Sequence, residues 1–121
     1  MRMAESILFL MTKAPYGLEE YFAGSRASLA MLASGLIGRS TLLLVGDGTL
    51  NAVATQEPQA IGMPSNMEAT NDLEDFEGEV YAIAEDLQAR VGEVAVLPSV
   101  KLIAWDKARE LVSEHGIITT F

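Results

Sequence analysis

Five short apolar runs, separated by longer stretches with helical punctuation, constrain this chain more than any other feature. Residues 6–11 are continuously apolar after Ser6, and residues 41–45 repeat the pattern as Thr-Leu-Leu-Leu-Val. Residues 79–84 alternate moderately around Val80, Tyr81 and Ile83, and residues 100–105 and 117–121 are further runs rich in branched and aromatic side chains. The first two runs, unbroken by polar alternation, suit strands covered on both faces, the normal condition of a parallel sheet. Each of the first four runs leads into a segment that can form a helix. Strand and helix in alternation imply right-handed crossovers, because a crossover returns the chain to the same sheet in the parallel sense. The expected fold is therefore α/β, a three-layer flavodoxin-like sandwich around a five-stranded, mainly parallel sheet. At 121 residues it is expected to form a single domain over 1–121.

The connections carry their own signals. Between residues 18 and 36, Leu18, Phe22, Ser25, Leu29, Leu32 and Leu36 recur at spacings of four and three, which reads as one helix face. Ala23, Ala27, Ala30 and Ala33 flank that stripe and allow close approach to a neighbour. Gly46-Asp47-Gly48 ends the second run as a tight turn, with a short helix expected at 49–54. Residues 56–66 hold Pro58, Gly62, Pro64 and Met63, a loop whose apolar groups could serve a partner. Thr70 or Asn71 is placed to cap a short helix through Phe76, a further helix is expected at 85–91, and Asp106 is placed to cap the last one. On that last helix Ala108, Leu111, Val112 and His115 share a face, and Gly116 stops it.

Composition removes whole classes of chemistry. The chain has no cysteine, so it forms no disulfide, thiolate nucleophile, persulfide or zinc-thiolate site. A formal charge of −9 with scattered basic residues opposes phosphate backbones, so no direct nucleic-acid binding is expected. The apolar segment 27–37 is interrupted and flanked by Arg26 and Arg39, too short for a membrane span. Residues 7–11 follow Glu5 and are too few for a signal core. The expected compartment is the cytoplasm, with no membrane association.

Ligand chemistry in parallel sheets gathers beyond the carboxyl ends of the strands. Here those ends are Thr12-Lys13, Gly46-Asp47 and Ala84-Glu85, and Lys13, Tyr16, Asp47, Ile83 and Glu85 form the candidate cleft. The segment 46–48 lacks the third glycine of a dinucleotide fingerprint and is first of all a turn. The acidic run Glu68, Asp72, Glu74, Asp75, Glu77 and Glu79 lacks the ordered spacing of a calcium loop and reads as a solvated face. His115, the sole histidine, ends a helix, where capping or packing outweighs catalysis. No catalytic residue, metal or cofactor is assigned.

Residues 8–17 (Leu-Phe-Leu-Met-Thr-Lys-Ala-Pro-Tyr-Gly), with Arg26 and the helix through Leu36, resemble the opening of proteins in the DsrF/TusC branch of the DsrE/DsrF-like sulfur-relay family. The segments 42–48, 80–92 and 117–121 resemble the family's second strand and Asp-Gly turn, third strand with its short helix, and terminal strand ending in phenylalanine. The resemblance implies a subunit that assembles with homologous DsrE-like chains, as a hetero-oligomer or by self-association as a trimer or hexamer. It also implies a role in passing persulfide sulfur toward tRNA thiolation or sulfur metabolism. Carrier relatives hold a cysteine just after the third strand, and Ile83 stands at the matching position. The implied role is a non-carrier structural subunit without catalysis of its own. The residues alone leave two alternatives open: a self-assembling small-molecule or anion binder using the strand-end loops, and a cysteine-free enzyme working through carboxylates.

Overall fold

The computed structural model describes residues 6–15, 20–35, 37–54, 56 and 65–121. Its order is β1 (Ser6–Met11), α1 (Glu20–Ala33), β2 (Arg39–Leu44), a 3-10 helix (Gly46–Ala52), α2 (Asn66–Asp75), β3 (Glu79–Ile83), α3 (Ala84–Val91), β4 (Val100–Ile103), α4 (Trp105–Ser113) and β5 (Ile117–Thr120). The five strands form one sheet in the order β4-β3-β2-β1-β5, and every pairing is parallel. The flavodoxin-like α/β architecture expected from the alternating runs is the one present.

Topology decides which face each helix covers. From β1 to β4 the chain steps steadily across the sheet, so right-handed crossovers put α1, α2 and α3 on one face. From β4 it returns to the far edge beside β1, which sends α4 across the opposite face. Strand parity follows this division. Ile7, Phe9 and Met11 pack with Leu42, Leu44, Val80 and Ala82 under Tyr21 and Leu73 of the first face. Leu8, Leu43 and Ile83 pack under Ala108 and Leu111 of α4. Among the described residues the second layer is thus a single helix of nine residues.

Several local expectations are corrected. The buried face of α1 is Tyr21, Gly24, Ser25 and Ser28, with Leu29 and Leu32 only partly buried. Small residues win this face because the helix lies close to the sheet: a Cβ on Gly24 would stand 2.5 Å from the Met11 methyl, and the Ser28 and Ser40 hydroxyls bond directly. Leu18 and Leu36 lie outside the described residues, as does most of the Met/Pro loop. Helix α2 starts earlier than expected because Ser65, not Thr70 or Asn71, caps it by accepting from Glu68 N–H at 3.3 Å. Helix α4 starts at Trp105 without a side-chain cap, so Asp106 lies inside its first turn. The segment after β2 winds directly into the 3-10 helix rather than turning first.

Candidate functional site

The carboxyl edge of the sheet is built from backbone tied down by a buried polar chain. Asn51, fully buried in the 3-10 helix, donates from its amide to the carbonyls of Lys13 and Gly48, each at 3.0 Å. Its own amide oxygen accepts from Asn66 at 3.2 Å. Thr70 then donates to the Asn66 carbonyl at 3.0 Å and meets the Tyr21 hydroxyl. These groups lie inside the apolar first face, where unmade hydrogen bonds are costly. The network therefore fixes the loop after β1 against the 3-10 helix and α2. The same loop is held from the other side, where Thr12 N–H and Oγ1 both donate to the Phe121 carbonyl, at 3.0 and 2.9 Å.

The end of β2 is fastened to α3. Gly46 N–H donates to Asp86 Oδ2 and Arg90 Nε donates to Asp47 Oδ1, both at 2.8 Å. Asp47 therefore serves an ion pair, and its exposed position limits what that pair adds to stability. Glu85 is exposed in the first turn of α3, beside Asp86, where negative charge complements the helix dipole. Lys13 projects an exposed side chain from an anchored backbone. The structure thus gathers Lys13, Asp47 and Glu85 along one edge of the sheet.

Ile83 is the correction to the expected cleft. It ends β3 and precedes α3, as the sequence indicated, yet its side chain is fully buried among Leu8, Leu43, Ala108 and Leu111. Its strand parity points it beneath α4 and not toward the loops. Tyr16 lies outside the described residues. Sequence reasoning missed Asn51, Asn66, Asp86 and Arg90. The i,i+4 spacing of Asp86 and Arg90 was the available signal for the last two, whereas an asparagine between Leu50 and Ala52 carries no spacing signal at all.

A second polar cluster lies at the amino edge, on the α4 face. Arg39 donates to Glu79 at 2.7 and 3.1 Å and to Glu114 at 3.0 Å, and Tyr81 donates to Glu79 at 2.8 Å. The Arg39 hydrogen bond, outweighing burial, holds the Glu79 carboxyl below its ordinary range. Burial, with the bond to Glu79, pushes the Tyr81 phenol up, and Arg39 is raised chiefly by its bond to Glu79. His115 packs beside this cluster, with Nδ1 2.7 Å from the Leu111 carbonyl and Nε2 2.8 Å from Thr41 Oγ1. Both ring nitrogens are engaged, so it fastens the end of α4 to β2. Two carboxylates of the acidic run are absorbed by ion pairs, Asp72 with Arg26 and Glu79 with Arg39.

An all-parallel sheet with an anchored carboxyl edge and no thiol defines a flavodoxin-like α/β protein whose rim presents positioned backbone and charge but no sulfur nucleophile. The family model described as DsrE/DsrF-like matches residues 5–115, and the chain belongs to that family. The fold is shared with the crystal structure of the ychN protein from E. coli, at a TM-score of 0.85 and 18% identity over 97% of this chain and 99% of that one. A conserved protein of unknown function from Bacteroides thetaiotaomicron, BT1422, matches at a TM-score of 0.67 and 12% identity, covering 100% and 99%. No curated protein matches the sequence. Family membership ties the chain to sulfur-relay-related function. Among the described residues no helix is long and apolar enough to cross a membrane.

Proposed function

We propose that this chain is a non-carrier interaction subunit of a sulfur-relay complex, of the DsrF/TusC kind. One observation carries the reading: a member of this family contains no cysteine. Persulfide chemistry requires a thiolate, so any sulfur moved by the assembly rides on a partner's cysteine. At the position resembling the carrier site, Ile83 fills the space with hydrocarbon and packs into the core. The subunit acts in the cytoplasm as one domain, and its partners are homologous DsrE-like chains. Apolar surface for such partners is available. Ile117 and Ile118 on edge strand β5 and Leu102 on edge strand β4 are each at least 39% exposed. The sulfur is bound for tRNA thiolation or for sulfur metabolism.

Reconstitution with a cysteine desulfurase, labelled cysteine and a cysteine-bearing family partner tests the proposal. The chain takes up no label, and its addition accelerates transfer through the partner. Transfer that proceeds equally without it would refute the role. A second reading, a self-assembling binder of small molecules or anions through the Lys13, Asp47 and Glu85 rim, is favoured by the exposed Lys13 on an anchored loop.

A further inference from the structure

On the second face, α4 does not close over the carboxyl ends of β1 and β2. A cavity of about 320 Å³ remains, floored by Leu10, Leu43 and Val45 and walled by Trp105, Ala108 and Val112. Its volume falls at the small end of the roughly 300–1,000 Å³ typical of ligand pockets. The lining is almost wholly hydrocarbon, and Arg109, exposed on α4, is the one charged residue that borders it.

Arg109 differs from the other arginines of the described residues. Arg26 pairs with Asp72, Arg39 with Glu79 and Glu114, and Arg90 with Asp47. Arg109 has no carboxylate, carbonyl or aromatic ring as partner among the described residues, although Asp106 lies one turn back on the same helix. This is unusual in a chain where 17 acids face 8 bases. A guanidinium has five donors in a planar fork that matches a carboxylate, and it is weakly hydrated enough to work beside apolar surface. Trp105, 44% exposed, adds a flat apolar wall one turn from Arg109.

We propose that this groove binds a small organic anion, its aliphatic or single-ring body lying on Leu10, Leu43 and Trp105 and its carboxylate paired with Arg109. An apolar cavity alone would take a neutral hydrocarbon equally well. The Arg109 charge at its border, unpaired among the described residues, selects the acid. The site is distinct from the Lys13 rim and stands whether or not the chain serves sulfur relay.

Trp105 is the sole tryptophan, so its emission reports on the groove directly. Octanoate is titrated into the full chain while Trp105 fluorescence and the methyl resonances of Leu10, Leu43 and Val45 are followed, with 1-octanol as the uncharged comparator. The expected result is a saturable emission change, shifts confined to those methyls and to the Ala108 and Val112 methyls of the groove wall, and tighter binding of octanoate than of octanol. Arg109→Gln, a change at an exposed position, weakens octanoate about fivefold, the scale of a partly exposed ion pair, and leaves octanol unchanged. No saturable response to octanoate, equal affinity of wild type for acid and alcohol, or methyl shifts elsewhere would each overturn the proposal. So would Trp105 emission that changes on dilution but not with octanoate, which assigns the groove to a second copy of the chain.

Discussion

Gly48 rests against the backbone of Met11 so closely that a Cβ added to it would stand 2.0 Å from the Met11 carbonyl oxygen. The same oxygen accepts from Val45 N–H at 3.0 Å, so the 3-10 helix closes over the end of β1 with no space to spare. Gly48→Ala must displace backbone and is expected to cost about 2 kcal/mol or more, in the range of overpacked sites. Gly35→Ala is the comparison, because nothing lies within 4 Å of its added Cβ and only its φ of +75° is unfavourable. It should cost about 1 kcal/mol. Urea unfolding of both variants checks the order, and equal costs would contradict the close approach.

Ile83→Cys should resist iodoacetamide in the native state, because the position is buried beneath α4. Ala84→Cys, one residue on and half-buried in the first turn of α3, should label natively, since a helix N-terminus favours the thiolate. Ile83→Ala should cost about 2–5 kcal/mol through the cavity it leaves. Rapid native labelling at position 83 would show that α4 lifts away from the sheet.

Asn51→Ala removes the amide that joins the Lys13 and Gly48 carbonyls to Asn66. Buried groups left without partners cost about 1–3 kcal/mol, and the loss should be concentrated at the rim. Hydrogen exchange is expected to quicken in the segment after β1 and in the 3-10 helix while β3 and β4 stay protected. Uniform loss of protection would mean that the network holds the whole fold and not the rim.

The three inner strands were legible because burial on both faces leaves little ambiguity of period: residues 6–11 match β1 end for end, and β3 differs from its expected span by one residue. The face of α1 was misread because its leucines were weighted above Gly24 and Ser28, although close packing on the sheet prefers the small residues. The carboxyl edge was legible as a place, since strand ends can be counted from sequence. The direction of Ile83 was not. It depends on α4 crossing to the second face, which follows from β5 pairing with β1, a contact between the two ends of the chain. Asn51 was invisible for the same reason, since its partners lie 38 residues before it and 15 after it.

The Arg39–Glu79 pair predicts a pH dependence of definite sign. Because the folded Glu79 carboxyl titrates below its ordinary value of 4.5, its contribution is present above that pH and is lost as pH falls through the folded value. Glu79→Gln should therefore cost about 1 kcal/mol near neutrality, a figure held down because Arg39 is about a third exposed. The wild type and variant should converge in stability once the pH has fallen below the folded Glu79 value. A difference that persists unchanged into acid would assign the effect to packing or to the neutral hydrogen bond with Tyr81.

The native mass of the complex isolated from the source cell, through a tag on this chain at its natural expression level, tests the central claim most directly. The account predicts a hetero-oligomer in which this cysteine-free subunit is accompanied by at least one DsrE/DsrF-like chain that carries a reactive cysteine. Recovery of the chain only as a monomer, or only with copies of itself, would contradict it.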